Sequence, residues 1–284
     1  MTGTYFCDYQ AYKQLKTEVE KFETAPYHLK NLISNPKRFE QFSTQMSDFF
    51  YDYSKQRIDE VVFDLLIRLS KEVGAKHQFS EMVSGKTVNV TENRAALHTA
   101  MRDPSDTPIL VNGPNIKSDI QSDIKPEIAQ VNRHIKEFTE KIHQKVLKGS
   151  TGKAFTDAVL IGIGGSYLGC DFVFNALKYN FDPIINIHFL PNVDIDNFGQ
   201  VIKNINPETC LWIVISKSYT TTETMANLAQ ALLFLKERQL DPADHLVTVT
   251  AKGSPGDDPS NPVLASFHMF DFIGGRYSVT SAVG

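Results

Sequence analysis

The chain has 284 residues, 42% of them hydrophobic and 22% charged, with a formal net charge of −4. That length admits one large domain, or a core domain plus a substantial extra segment. So small a net charge supplies no basic field for nucleic acid or an anionic membrane, so any anion site has to be local.

The N-terminal stretch MTGTYFCDYQAYKQ shows no basic run followed by an apolar one, so no secretory signal is expected. No apolar run approaches the roughly 18 residues that would mark a membrane span. Cys7, Cys170 and Cys210 are widely spaced and none sits in a C-x-x-C pair. This spacing points away from a disulfide framework or a cysteine zinc site, and toward a reducing, cytoplasmic setting.

Residues 1–115 read as a helical, charge-rich segment. YQAYKQLKTEVEKF and RIDEVVFDLLIRLSKEV both space apolar residues by three and four. In the second, Ile58, Val61, Val62, Leu65, Leu66 and Leu69 form a stripe expected to face a core. SGKT at residues 84–87 has the ending of a P-loop. Its first glycine would fall at Ser80, however, and KHQFSEMV before it is no buried strand, so Lys86 reads as a surface lysine. Residues 102–115, with three prolines and a glycine, read as a connection. A further amphipathic helix follows in residues 124–149.

From residue 157 the pattern changes. DAVLIGIGG, INIHFL, CLWIVIS and HLVTVT read as strands, with FHMFDF as a fifth. SYLGCDFVFNALKY, DIDNFGQVIKNI and TTETMANLAQALLFLKERQ between them read as helices. The strands are continuous apolar runs, which implies burial on both faces of a parallel sheet. The expected fold of residues 116–284 is therefore α/β, a flavodoxin-like doubly wound sheet of about five strands in the order 2-1-3-4-5.

Two strand-to-helix junctions carry chemistry. At the first, Gly162, Gly164, Gly165 and Ser166 allow a tight turn and close approach of a ligand to a helix start. The dinucleotide fingerprint G-x-G-x-x-G fails there, because its last glycine would be Tyr167. That disfavours a nicotinamide cofactor. At the second, ISKSYTTTET places five hydroxyls in residues 218–222 beside Ser216 and Lys217. Helix capping by Thr220 or Thr221, with Glu223 or Thr224 reaching back, would account for one of them. A phosphate dianion would use them all, with no metal needed. In the expected strand order both loops open into one crevice. Near the end of the chain, Gly274 and Gly275 precede Arg276, whose guanidinium is a rigid cationic fork. It is placed either to steady an oxyanion or to form a structural ion pair.

On GIGGSYLG, SKSYTTTET and GGRYSVTSAVG, in that order, the sequence resembles the glucose-6-phosphate isomerase family. DYSKQRI (residues 52–58) and VNVTENRAALHTAMR (residues 88–102) are similar to family stretches too. The resemblance implies an aldose–ketose isomerase of glycolysis and gluconeogenesis. It would interconvert glucose 6-phosphate and fructose 6-phosphate through an enediolate, with no cofactor or metal. The implied architecture has two sugar-isomerase domains with the site between them, completed across a homodimer. Ser216, Ser218 and Thr221 would hold the phosphate, with Lys217, Tyr219 and Thr220 in the same loop. Gly165 and Ser166 would line the sugar, and Arg276 would stabilise the enediolate. Ser218 stands where threonine is usual and Cys170 where proline is frequent. Family chains are about twice as long, and their catalytic glutamate, ring-opening histidine and C-terminal lysine match no residue here. His98, His188, His245 and His268 fall outside the matching motifs and are expected to be structural or surface residues. A proton shift between carbons needs a base, so the chain alone is expected to be inactive. A non-catalytic sugar-phosphate-binding module remains the second reading.

Overall fold

The computed structural model describes residues 5–112 and 121–284. It divides into two compact units, Met1–Glu81 and Met82–Gly284. The boundary expected at residues 115 and 116 lies outside the described residues, as does the end of the proline-rich connection.

In the first unit, helices Gln10–Glu18 and Glu60–Glu72 lie side by side. The backbone N–H of the fully buried Ala11 donates to the Glu72 carboxylate at 3.0 Å. Asp59 caps the second helix by accepting from Val62 N–H at 2.9 Å. Its stripe is narrower than expected. Val62 is buried and Leu65 and Leu69 partly so, while Val61 and Leu66 are exposed. Residues at i, i+3 and i+7 share a face, and Val61 and Leu66 sit off it. The segment is also not wholly helical: strands Ser43–Met46 and Phe49–Asp52 pair as an antiparallel hairpin.

The second unit begins its main run of structure with helix α1 (Lys125–His143). There follow β1 (Asp157–Ile161), α2 (Leu168–Leu177), β2 (Asn186–Leu190), α3 (Ile195–Lys203), β3 (Cys210–Ile215), α4 (Thr222–Glu237), β4 (Leu246–Ala251) and β5 (Ala265–Met269). The five strands are all parallel, in the order β2-β1-β3-β4-β5. This is the expected doubly wound arrangement.

Burial on both faces explains the unbroken apolar runs. Along β3, Cys210, Trp212 and Val214 enter one core with Phe198 of α3 and Leu228, Ala231 and Leu235 of α4. Leu211, Ile213 and Ile215 enter the opposite core with Ile142 of α1 and Cys170 of α2. Full burial of one such side chain contributes about 1.5–3 kcal/mol, so the strand cannot slip register without exposing both sets. His245 pins the amino end of the sheet. It is fully buried, its Nε2 accepts from Ser150 N–H at 3.1 Å, and its Nδ1 lies 2.9 Å from the Cys210 carbonyl. Among the described residues no helix is long and apolar enough to cross a membrane.

Candidate functional site

The carboxyl ends of β1, β3 and β5 lead into three segments that meet. The first is the hydroxyl loop after β3. Ser216 is buried, and its N–H donates to the Val249 carbonyl at 3.1 Å, continuing the sheet. The chain then turns through Tyr219, which has φ +54°. A left-handed conformation is uncommon and strained for a residue with a bulky side chain. Two contacts hold it there. Tyr219 N–H donates to Ser216 Oγ at 3.1 Å, and the Tyr219 ring lies so close to Gly256 that a Cβ there would sit 2.4 Å from it.

The hydroxyls of this loop face one another instead of capping α4. Thr221 is the capping residue by position, yet its hydroxyl makes no capping bond and lies 3.3 Å from Ser216 Oγ. The Thr220 hydroxyl donates to Ser218 Oγ at 2.8 Å. The Thr224 hydroxyl is buried and, among the described residues, has no partner. The capping arrangement expected from sequence is therefore not formed, because Thr221 turns its hydroxyl back toward Ser216. The exposed Ser218 and Thr220 and the half-buried Thr221 remain able to reach a ligand.

The glycine loop after β1 packs directly on the segment that carries Arg276. A Cβ on Gly165 would lie 2.1 Å from the Gly275 carbonyl oxygen and 2.3 Å from its carbon. No other residue type allows these two backbones to approach so closely. Gly164 takes φ +55°, starting the short 3-10 turn Gly164–Ser166. Arg276 sits in a second such turn, Gly275–Thr280.

Lys217 ties the third corner. Its ammonium donates to the carbonyls of Ile273 at 3.1 Å and Asp271 at 3.3 Å. Burial, and then the Arg94 guanidinium nearby, hold its pKa below the ordinary lysine value. Lys217 thus joins the hydroxyl loop to the arginine segment, and its side chain is spent on those carbonyls.

Arg276 is exposed and, among the described residues, has no hydrogen-bond or ion-pair partner. It lines a cavity of about 180 Å³ with Glu92, Arg94, His98, Asp271 and Tyr277. The structural ion pair considered for Arg276 belongs instead to Arg94, which contacts Glu92 and lies 3.7 Å from Asp271. Hydrogen bonds from Arg94 and then Asn89 hold the Glu92 carboxyl below the usual carboxylate range. Arg94, His98 and Tyr277 were not assigned to the site from sequence. Their signal lay in TENRAALH, a charged run ending in a histidine between apolar stretches, whose long-range contacts no local pattern shows.

His188, His245 and His268 are placed as structural groups. His188 lies 2.9 Å from Asp157, His268 lies 2.8 Å from Asp257, and His245 is buried as described. Among the described residues no cluster of three or more His, Cys, Asp or Glu could hold a metal ion.

A doubly wound parallel sheet with a glycine loop after its first strand and a hydroxyl loop after its neighbouring third defines an α/β domain with a switch-point crevice. That crevice is where the class holds its ligands. The sequence profile of the phosphoglucose isomerase family matches residues 52–284. The chain is 52% identical to a glucose-6-phosphate isomerase of Desulfosudis oleivorans, matching 100% of this chain and 51% of that one. A glucose-6-phosphate isomerase of Methylococcus capsulatus is 39% identical over 95% of this chain and 49% of its own. A crystal structure of a glucose-6-phosphate isomerase from Chlamydia trachomatis superposes with a TM-score of 0.79 at 29% identity, over 99% of this chain and 52% of that one. The chain belongs to the phosphoglucose isomerase family. It spans about half the length of the relatives it matches.

Proposed function

We propose that this chain carries the phosphate- and sugar-binding part of an aldose–ketose isomerase that interconverts glucose 6-phosphate and fructose 6-phosphate. The observation that carries the reading is the hydroxyl loop. It sits at the switch point of a family member's sheet, and its hydroxyls are not used to cap the helix they precede. Ser216, Ser218 and Thr221 hold the phosphate, with Thr220 and the backbone of Lys217 and Tyr219 completing the loop. Gly165 and Ser166 line the sugar. Arg276, without a side-chain partner among the described residues, stabilises the negative charge that develops on oxygen as the enediolate forms. The assembled enzyme works as a homodimer in the cytoplasm.

Moving the C2 proton needs a carboxylate or imidazole of suitable pKa. The cavity carboxylates, Glu92 and Asp271, both face Arg94, and Glu92 is held low and so is a weak base. The same observation favours the second reading, a module that binds sugar phosphate without turning it over. A coupled assay decides between them. The chain alone is expected to bind glucose 6-phosphate and show no turnover. Turnover appears on mixing it with the half of the Desulfosudis oleivorans relative that it does not span. Turnover by the chain alone would refute the missing base, and binding with no gain on mixing well-folded halves would favour the module.

A further inference from the structure

The turn that carries Arg276 is closed by Tyr277 N–H donating to the Gly274 carbonyl at 2.9 Å. One side chain from far along the sequence covers both ends of that turn. The His98 ring stacks on Tyr277 with centroids 3.9 Å apart and an interplanar angle of 22°. Its Nε2 also lies so near Gly274 that a Cβ there would be 3.2 Å away. The backbone behind it is fixed, since the fully buried Leu97 donates its N–H to the Phe272 carbonyl at 3.1 Å. Arg276 itself has no side-chain partner among the described residues, so this turn fixes where its backbone and the root of its side chain sit.

We propose that His98 is a positioning residue for Arg276, its imidazole clamping the Gly274–Tyr277 turn so that the guanidinium stays presented to the cavity. The proposal rests on the reading that Arg276 faces a bound sugar phosphate. A turn already held in place needs no backbone rearrangement when charge develops beside it, whereas a loose turn surrenders backbone freedom on binding. The charged and titratable groups lining the cavity with His98 are Arg94, Arg276, Glu92, Asp271 and the Tyr277 phenol, and the Lys217 ammonium acts on it from nearby. Burial, and then Lys217, hold the His98 pKa below the ordinary 6.5. The clamp is therefore the uncharged ring at neutral pH. A group whose folded pKa is depressed contributes stability above its unfolded value and loses it as pH falls toward the folded one. Stability should thus fall below pH 6.5, and His98→Phe should flatten that part of the profile.

The test follows the Arg276 backbone amide signal in the ¹⁵N-labelled chain, with glucose 6-phosphate affinity measured by calorimetry. In His98→Ala the signal moves toward the position of an unstructured backbone and affinity falls about tenfold. In His98→Phe, which keeps a stacking ring, both stay near native values. Tyr277→Leu, which removes the stack from its exposed side, reproduces the alanine result and serves if His98→Ala fails to fold. An Arg276 signal unchanged in both His98→Ala and Tyr277→Leu overturns the proposal. So does a signal lost equally with phenylalanine and alanine. If the native chain binds no glucose 6-phosphate, the functional reading fails, and the Arg276 signal still decides whether His98 positions it.

Discussion

Replacing Ser216, Ser218 and Thr221 together by alanine is expected to weaken glucose 6-phosphate binding by about 10²-fold or more, with the helix after them intact. A hydrogen bond to a charged group is worth about 1.5–3 kcal/mol, and each 1.4 kcal/mol is tenfold in affinity. Two such bonds already reach the stated loss. Retained helicity follows from the geometry. Thr221 caps α4 by position without a side-chain bond, so removing its hydroxyl takes nothing from the helix end. Calorimetry and far-UV circular dichroism on the same sample check both halves. If affinity were unchanged, the loop hydroxyls would be packing groups. If helicity fell with affinity, the loss of binding would be a folding effect.

Gly165→Ala is expected to be strongly destabilising, and Gly275→Ala across the same contact to be mild. A Cβ on Gly165 would lie 2.1 Å from the Gly275 carbonyl oxygen, backbone against backbone. A Cβ on Gly275 would find its nearest neighbour at 4.0 Å, an ordinary contact. Overpacking of this kind costs about 1–3 kcal/mol, or several degrees in thermal midpoint for a unit of this size. The two turns must also part, which moves Arg276 away from the glycine loop. Thermal midpoint and sugar-phosphate affinity should therefore drop together in Gly165→Ala, with both near native in Gly275→Ala. Equal effects of the two substitutions would contradict the packing described for these turns.

The sheet was legible because its strands are buried on both faces, so each is an apolar run with glycines or polar residues at its end. Residues 210–216 could be read as a central strand for that reason, and their neighbours followed from the order such sheets adopt. The hairpin at residues 43–52 gave no comparable signal. Its second strand is exposed along its length, so hydrophobicity does not alternate. Its turn carries a positive φ at Ser47, where an Asn-Gly pair would have announced it. Within the site, the two loops could be read because glycine and hydroxyl content are local properties. The surroundings of Arg276 could not. Arg94 and His98 reach it through contacts made by folding, Leu97 to Phe272 and His98 to Tyr277, that join distant parts of the chain. Lys217 shows the same limit from the other side. Sequence grouped it with the phosphate loop, and only the fold shows its ammonium turned to the carbonyls of Asp271 and Ile273.

Titrating glucose 6-phosphate into the ¹⁵N-labelled chain and mapping the amide shifts tests the central claim most directly. Saturable shifts are expected at Gly165, Ser166, residues 216–221 and Arg276. Absence of binding, or shifts confined to residues away from the carboxyl ends of β1, β3 and β5, would contradict it.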